Sequence, residues 1–483
     1  MLAWAFLLFA AASDMERELH RFATVYGLIE AEAATPIDHN TAIYEGAIPG
    51  MLKQLDPHTV FFSPSQFDQL REMERSTSKG FGTVVSVLPG RVIVLQTLAG
   101  TPSSRAGIQP GDEIVAVNGV RLDWLTMEQL VGLLGESRRR EAKLDVRRAG
   151  ASRLLPFTLV PEELASPSVD RAYELRPGIG YVRVTSFEVP TGKQLKEAID
   201  KLGGASLKGL VLDLRNNPGG VLTSALEASA LFLPAGKKLL SVRGRARQAE
   251  ETEVPGNWPR YDFPLTILMN EKSASASEIV AGAMQDYDRG TVIGVPSFGK
   301  GLVQSVYPLS QGTGIALTTA FYFTPSGRSI QRPLKEGALE GQTPRWASLE
   351  QQGEFVTEKG RKVRGGGGIE PDFTVHPERQ TRLRTVLDAS GVLTQFATVA
   401  IQKLGKVEPA FQVPNAMMDD LKLYLSERRI QPGVAEWTAE IEWVRARLHQ
   451  EIFNQALGVE KGDEVEARRD PVVLKALDVL GVR

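Results

Sequence analysis

Cysteine is absent from this 483-residue chain, and histidine occurs only five times. Without cysteine there can be no thiol nucleophile, disulfide framework or thiolate metal site. The histidines are His20, His39, His58, His376 and His449. None lies in the long middle of the chain, which excludes a Ser-His-Asp site there. No H-E-x-x-H pair occurs, which excludes a zincin.

Neither positive nor negative charge is in marked excess, because the net charge is −2. Charged residues make up 24% of the chain and apolar residues 42%. These proportions are typical of a globular protein and provide no basic surface for nucleic acid. The first twelve residues, MLAWAFLLFAAA, are too few to span a bilayer but match a signal-peptide core. We therefore expect an exported protein, periplasmic or membrane-associated on the extracytoplasmic side. The alternative is the start of a buried helix, since the basic n-region is missing.

Hydrophobic periodicity predicts an α/β multidomain chain. An N-terminal helical segment precedes short strands, then strands alternating with helices, then a helical C-terminal region. Continuous apolar runs at 210–214 and 265–269 are typical of buried parallel strands. The predicted divisions are a signal or anchor remnant (1–13), a helical region (14–75), a small strand-rich domain (76–152), an α/β core (153–375) with a long, mobile loop or insertion (333–367), and a helical region (376–483).

Residues 294–301 read GVPSFGKG and nearly match the phosphate-binding loop G-x-x-x-x-G-K-[ST]. Gly301, however, stands where such a loop needs a hydroxyl for magnesium. The chain then alternates as a strand does, whereas a phosphate-binding loop opens a helix. Lys300 is therefore better explained as an amine beside apolar neighbours, where its neutral form is favoured and can accept a proton.

A serine-rich turn, N-E-K-S-A-S-A-S-E, follows the apolar run 265–269 and opens a helix. Such a turn can present a nucleophile, and the helix N-terminus supplies amides for an oxyanion. The same residues also fit ordinary helix caps, because Ser275 and Glu278 match the S-x-x-E box. A second turn, D-L-R-N-N-P-G-G, ends in Gly219 and Gly220, which suit either an oxyanion hole or a turn that needs positive φ.

Residues 80–148 resemble a PDZ domain, because they contain G-F-G-T and later A-G-x-x-x-G-D-x-I-x-x-V-N-G. A PDZ domain binds a peptide as an added strand and holds its terminal carboxylate with loop amides. The expected carboxylate loop is Gly80, Phe81, Gly82 and Thr83. The expected pocket lies on a helix near 126–135, with Leu130 and Leu134 as candidates for apolar tails.

The PDZ-like block and the D-L-R-N-N-P-G-G, S-A-S-A-S-E and F-G-K-G-x-V-Q motifs occur in one order, followed by F-T-P-S-G-R and G-I-E-P-D. In this the chain resembles the carboxy-terminal processing proteases, the Ser-Lys peptidases of the tail-specific family. The resemblance implies a crotonase- or ClpP-like core. It makes Ser275 the nucleophile, Lys300 the general base and Gln304 the residue that orients the lysine. Ala276 and either Gly219 or Gly220 would supply the oxyanion amides.

The chain departs from the family between Gln331 and Gly368, where 36 residues of unknown role intervene. The last hundred residues are only loosely similar, although D-P-V-V-L-K-A-L at 470–477 resembles the closing helix of the family.

The function expected is a serine endopeptidase that cleaves proteins near their C-terminus, with the PDZ domain binding apolar substrate tails and gating the site. No cofactor or metal is required by a Ser-Lys mechanism. A regulatory or adaptor protein and self-association are left open as further partners. The alternatives are a catalytically inactive PDZ scaffold and a non-peptide acyl hydrolase of crotonase-like fold.

Overall fold

The computed structural model describes residues 2–74, 77–245, 247–332 and 353–481. Contacts within the chain divide it into two compact units. The described part of the first unit comprises the residues up to Asp68 together with Gln304–Thr319. The second unit holds the remaining described residues.

The first unit begins with a long helix that contains the N-terminal apolar run. Within the ranges given above, no helix is both long and apolar enough to cross a membrane. The elements up to the second unit are helix α1 (Leu2–Glu32), helix α2 (Ile48–Lys53), strand β1 (Val60–Phe62) and helix α3 (Pro64–Glu74). The region predicted as helical therefore also contains a short strand.

Eight strands and two helices follow between residues 77 and 165. They are β2 (Thr77–Gly80), β3 (Thr83–Leu88), β4 (Arg91–Thr97), α4 (Pro102–Ala106), β5 (Glu113–Val117), β6 (Val120–Arg121), α5 (Met127–Ser137), β7 (Ala142–Arg147), β8 (Leu155–Leu159) and β9 (Glu162–Ala165). The main sheet has the order β3-β4-β5-β7-β8, with β6 paired to β5, so β3 and β8 lie at its two ends. Strand β2 pairs with β9 and joins the two ends of this block.

The α/β core alternates strands and helices as the sequence predicts. Its elements are β10 (Val169–Arg176), β11 (Ile179–Val184), α6 (Thr191–Lys201), β12 (Gly209–Asp213), α7 (Leu222–Ala230), β13 (Lys238–Gly244), β14 (Arg247–Glu253), β15 (Leu265–Met269), α8 (Ala276–Asp286) and β16 (Thr291–Gly294). In the central sheet, β11, β12, β15 and β16 are neighbouring parallel strands. Every residue of β12 and β15 is buried, which confirms the two predicted core strands.

Strands β17 (Leu302–Pro308) and β18 (Gly314–Phe323) come next, and β17 confirms that GVPSFGKG runs into a strand. The beginning of β18 pairs with β1 in the first unit, and its end pairs with β13 in the second. Strands β19 (Glu354–Val356) and β20 (Lys362–Arg364) then form a hairpin, and β21 (Phe373–Thr374) completes the central sheet beside β16.

The hairpin corrects the prediction of an irregular, mobile loop for the part of 333–367 that is described. Arg361, in the hairpin turn, forms ion pairs with Asp288 and Asp372. The amide of Glu358 donates to the carbonyl of Asp286 at 2.7 Å, so the hairpin is attached to the end of α8. Residues 333–352 of the predicted insertion lie outside the described residues.

Six helices form the C-terminal region, as predicted. They are α9 (Arg382–Ser390), α10 (Val392–Leu404), α11 (Asn415–Glu427), α12 (Val434–Ala456), α13 (Val459–Ala467) and α14 (Pro471–Val479). Helices α9–α12 share a hydrophobic core of their own. Helix α14 packs instead against the central sheet, where Val473 and Leu477 join Val211, Leu268 and Ile293 in one buried cluster.

Candidate active site

Three loops leave the central sheet at the same edge, because β12, β15 and β16 are parallel neighbours. The D-L-R-N-N-P-G-G turn follows β12, the serine-rich turn follows β15, and the GVPSFGKG loop follows β16. The carboxyl edge of a parallel sheet is where active sites of α/β proteins are built. The serine turn leaves the middle strand of the three and therefore lies between the other two loops.

Ser275 differs from its two neighbouring serines in conformation and in hydrogen bonding. Its φ is 54° and its ψ is −112°, a region that non-glycine residues rarely occupy and that is found in strained functional turns. Ser273 and Ser277 are fully buried, and their hydroxyls donate to the carbonyls of Leu214 (2.8 Å) and Asn217 (3.0 Å). Ser275 is partly exposed, so it is the serine of this turn that a substrate can reach.

The glycine turn lies directly against the serine turn. Gly219 has φ of 98°, and a Cβ at this position would lie 2.8 Å from the Cβ of Ser275. Gly220 has φ of 141°, and a Cβ there would lie 1.9 Å from the carbonyl oxygen of Phe187. Both glycines are therefore required by backbone conformation and by close approach. The amide of Gly219 donates to Oδ1 of buried Asn217 at 2.9 Å.

The lysine loop is joined to the serine turn by a buried carboxylate. Glu278 accepts hydrogen bonds from the backbone amides of Ser275 (2.7 Å), Gly299 (2.7 Å) and Lys300 (2.9 Å), and from the hydroxyl of Ser297 (2.5 Å). Burial raises the pKa of Glu278, and these donated hydrogen bonds oppose that shift. The backbones of Ser275 and Lys300 are thus held by the same side chain.

Tyr322, near the end of β18, forms a second connection between the two loops. Its hydroxyl lies 3.1 Å from the carbonyl oxygen of Ser275 and 2.9 Å from that of Lys300. The side chain is buried, and this burial raises the pKa of its hydroxyl above the usual value. The hydroxyl therefore stays protonated and available as a donor.

Sequence reasoning missed both connecting residues. Glu278 lies within the serine motif, where its spacing indicates only half of a capping box, and the Ser275 amide does donate to it as that box requires. Its contacts with Gly299 and Lys300 could not be found from local spacing. Tyr322 belongs to none of the motifs, and its local sequence did not indicate its contacts.

Gln304 belongs to the first unit. Its side-chain nitrogen donates a hydrogen bond to the carbonyl of His58. His58 belongs to a turn that is held by the buried side chain of Asp56. The Asp56 carboxylate accepts hydrogen bonds from the backbone amides of His58 (2.7 Å) and Thr59 (2.8 Å). The role expected for Gln304 toward the lysine stays a prediction.

The residues predicted for the PDZ carboxylate loop lie between β2 and β3. Gly82 has φ of 77°, and a Cβ there would lie 2.2 Å from Oγ1 of Thr101, so this position requires glycine. Gly80 ends β2, Phe81 packs against the hydrophobic core of the block, and Thr83 begins the end strand β3. An end strand is the edge on which an added peptide strand can pair.

The predicted pocket residues on helix α5 differ in accessibility. Leu130 is 0% exposed and belongs to the core of the block, so it offers no surface to a ligand. Leu134 is half-buried against the same core. The exposed apolar side chains of this helix are Met127 and Val131, at 40% and 56% exposure. Buried Leu130 and exposed Val131 lie in the same turn of the helix. Apolar character alone therefore did not identify the face of the helix that is accessible to a ligand.

Two family models match parts of this chain. Residues 178–337 match the model of peptidase family S41, and residues 93–148 match a PDZ domain. A carboxyl-terminal-processing protease of Synechocystis is 35% identical over 292 residues, which cover 59% of this chain and 68% of the relative. A carboxy-terminal-processing protease of Bartonella bacilliformis is 34% identical over 328 residues, which cover 65% and 73% of the two chains.

Among solved structures, the photosystem II D1 C-terminal processing protease is 27% identical to this chain, with a TM-score of 0.39. The match covers 74% of this chain and 86% of the chain of that protease. The relatives confirm the family predicted from the motifs. The chain therefore belongs to the carboxy-terminal-processing proteases of peptidase family S41, and it is a serine-type C-terminal processing peptidase that carries a PDZ domain.

Proposed function

We propose that Ser275 is the nucleophile and Lys300 the general base of this peptidase. The observation that carries the proposal is the carboxylate of Glu278, which accepts the backbone amides of both residues. Two loops that leave different strands are thereby held to one anchor. A nucleophile and its base need such fixed mutual geometry, because proton transfer requires hydrogen-bonding distance.

The reaction follows the logic of other hydroxyl nucleophiles with a neutral base. The amine of Lys300 takes the proton of the Ser275 hydroxyl as Oγ attacks the carbonyl carbon of the scissile peptide bond. The protonated amine then gives this proton to the leaving nitrogen, and an acyl-enzyme remains. A water molecule, deprotonated by the same lysine, attacks the ester carbonyl. The bond to Ser275 Oγ then breaks, Oγ takes the proton back from the lysine, and the new C-terminus is released.

The oxyanion formed in each step is assigned to the amides of Ala276 and of the glycine turn. Gly219 and Gly220 were equal candidates from the sequence. The Gly219 amide already donates to Asn217, which favours Gly220 as the donor to the oxyanion. Ala276 begins helix α8, so the positive end of the helix dipole adds to the stabilisation of negative charge.

We further propose that the PDZ block selects substrates by an apolar C-terminal tail and gates access to Ser275. Support comes from the end strand β3, the glycine-requiring loop at Gly82 and the exposed apolar side chains of α5. The side chain of Gln304, through its amide oxygen, is assigned to orient Lys300 without adding charge. An adaptor protein and self-association stay predictions.

Export from the cytoplasm is proposed from the apolar residues at the start of the chain, which lie at the beginning of α1. The periplasm, or the extracytoplasmic side of a membrane, is the expected location. Fractionation of cells expressing the full chain, with N-terminal sequencing of the recovered protein, tests this. Recovery of the uncleaved chain in the cytoplasm alone would contradict it.

A fluorophosphonate probe tests the assignment of the dyad, because it labels only an activated serine. We expect one adduct, located at Ser275 by peptide mapping, and its loss in Lys300→Ala. Ser273→Ala is the matched control, because its hydroxyl belongs to the same turn but is buried. An adduct on any other serine would overturn the proposal.

A further inference from the structure

The closing helix α14 is part of the peptidase core. Its buried side chains Val473 and Leu477 cover the face of the central sheet formed by Val211, Leu268 and Ile293. Strands β12 and β15, which contribute the first two of these residues, also lead into the glycine and serine turns. The helix is therefore placed directly behind the strands that carry the site.

Asp470, the residue before α14, uses its two carboxylate oxygens for different purposes. Oδ1 accepts the amides of Val472 (2.8 Å) and Val473 (3.3 Å) and caps the helix. Oδ2 accepts a hydrogen bond from Nη1 of Arg215 at 2.6 Å. Both side chains are about four-fifths buried, at 19% and 21% exposure, so this ion pair is screened less than a pair on the open surface.

Arg215 lies within the D-L-R-N-N-P-G-G turn, and its guanidinium joins two elements. Nε and Nη2 bind the buried carboxylate of Asp213 at the end of β12, at 3.0 and 2.6 Å. Asp213 also accepts the hydroxyl of Tyr181 at 2.7 Å. The remaining nitrogen, Nη1, faces Asp470. The planar fork of arginine fits two carboxylates at fixed angles, so it transmits the position of one to the other.

The turn that contains Arg215 borders a cavity. A cavity of about 330 Å³ is lined by Arg215, Asn216, Asn270 and Asp470, among others. Asn216 has φ of 60° and exchanges two hydrogen bonds of 2.9 Å with Asn270 in the serine turn. Beside this cavity, the hydrogen bonds between Asn216 and Asn270 and the ion pair between Arg215 and Asp470 hold the turn.

We propose that Asp470 is a positioning residue of the active site, acting through Arg215 on the glycine turn. It holds the guanidinium, which keeps Asn216 and the following residues in the conformation that directs the Gly220 amide at the oxyanion. The inference rests on the proposed roles of Ser275 and the glycine turn. It gives the C-terminal helix a part in catalysis at a residue more than 240 positions from the oxyanion turn.

Asp470→Asn is the test, because asparagine caps a helix about as well as aspartate and has the same size. We expect a kcat lower by tenfold to about a hundredfold, since a small misplacement of a catalytic group has effects of this size. KM should be unchanged. A peptide aldehyde, whose hemiacetal with Ser275 places an oxygen in the oxyanion hole, should bind more weakly by the same factor.

Asp463→Asn is the matched control. Asp463 joins the same C-terminal region to the core through Arg171 (2.5 Å) and Arg183 (3.0 Å), and these arginines lie on β10 and β11. We expect a lower melting temperature in this variant with no change in the affinity for the aldehyde. Asp470→Ser, which keeps a capping hydroxyl, replaces Asp470→Asn if the latter does not fold.

Wild-type kcat and aldehyde affinity in a folded Asp470→Asn protein would overturn the inference. Equal losses of aldehyde affinity in the two variants would do the same, because they would indicate a general loosening of the core. These outcomes are distinguishable from failure of the proposed function, for which Ser275→Ala would have to retain peptide cleavage.

Discussion

The backbone amide of Lys300 donates a hydrogen bond of 2.9 Å to the carboxylate of Glu278. The same carboxylate oxygen, Oε2, accepts the amide of Ser275 at 2.7 Å. The proposed base and nucleophile thus share a single acceptor atom, although they follow different strands of the central sheet. Displacement of that atom would move both residues together.

Glu278→Gln should therefore disable the enzyme, although glutamine has nearly the same shape. Its NH2 group would face amide donors where the carboxylate accepts them, and each buried donor without an acceptor costs about 1–3 kcal/mol. We expect kcat/KM to fall by at least about a hundredfold and the melting temperature to fall. Peptide cleavage and thermal unfolding measure the two effects.

Ser297→Ala is the control for this prediction. It removes one donor to Glu278 and the acceptor of the Ile369 amide, and it leaves the three backbone amides on Glu278 in place. Its loss of activity should be much smaller. If Glu278→Gln cleaved peptide at the wild-type rate, the shared anchor would not be needed for catalysis.

Removal of either member of the dyad should abolish cleavage. We expect Ser275→Ala, Lys300→Ala and Lys300→Arg each to lose at least about 10⁴-fold in kcat, because the pair acts as one unit. Arginine keeps the positive charge but stays protonated and cannot act as a base. The double alanine variant should be no worse than either single variant. An active Lys300→Arg enzyme would refute the assignment of Lys300 as the base.

The lowered pKa of Asp213 should make the stability of the folded protein depend on pH. Burial opposes its ionisation, but the Arg215 guanidinium and the Tyr181 hydroxyl outweigh that effect and hold the pKa of Asp213 below its ordinary value. A lowered pKa in the folded state contributes stability above the pKa of the unfolded chain, near 4, and this contribution is lost as the pH falls through the folded-state pKa.

Asp213→Asn should thus be destabilised at neutral pH by at most about 3–5 kcal/mol, because it removes the buried carboxylate that binds Arg215 and leaves Asp470 as the remaining acid on that guanidinium. The difference in unfolding free energy from wild type should shrink as the pH is lowered below about 4, because the unfolded wild-type chain is then protonated at this carboxylate, and it should be lost below the lowered pKa of folded Asp213. Denaturant unfolding across this range measures it. A difference that stays constant with pH would contradict the lowered pKa.

The sequence was sufficient to predict the features that depend on local pattern. Apolar runs identified β12 and β15, and small residues between strand and helix identified the serine turn. Positive φ at Gly219 and Gly220 agrees with the expectation that the paired glycines form a turn unsuited to other residues. These features arise from neighbouring residues, so spacing along the chain reveals them.

Features that depend on distant residues were not predictable in this way. The ion pair between Arg215 and Asp470 joins positions 255 residues apart, one in the α/β core and the other in the C-terminal helical region. Arg361 attaches the hairpin at 354–364 to Asp288, which precedes β16 in the sequence, and to Asp372, which follows it. No local pattern in the sequence indicates these ion pairs. Leu130 and Val131 are adjacent and both apolar, and only the packed domain distinguishes core from surface.

The PDZ block should give the enzyme a preference for a free carboxylate at the end of its substrate. A peptide with an apolar C-terminal residue, made with a free or an amidated terminus, tests this below saturation. We expect kcat/KM to be about tenfold higher for the free terminus, because loop amides bind a carboxylate through charge-assisted hydrogen bonds. Equal rates for the two peptides would rule out recognition of the carboxylate.

Val131→Glu should remove that preference, because a charge on the exposed face of α5 repels both an apolar side chain and a carboxylate. Val160→Glu is the matched control. Val160 is 61% exposed, compared with 56% for Val131, and it follows β8 at the opposite end of the sheet from β3. Leu130 is unsuitable for this experiment, since a charge there would be buried in the core. Loss of the preference in both variants would indicate that the added charge acts on the whole block, whereas loss in Val131→Glu alone places tail binding at the exposed face of α5.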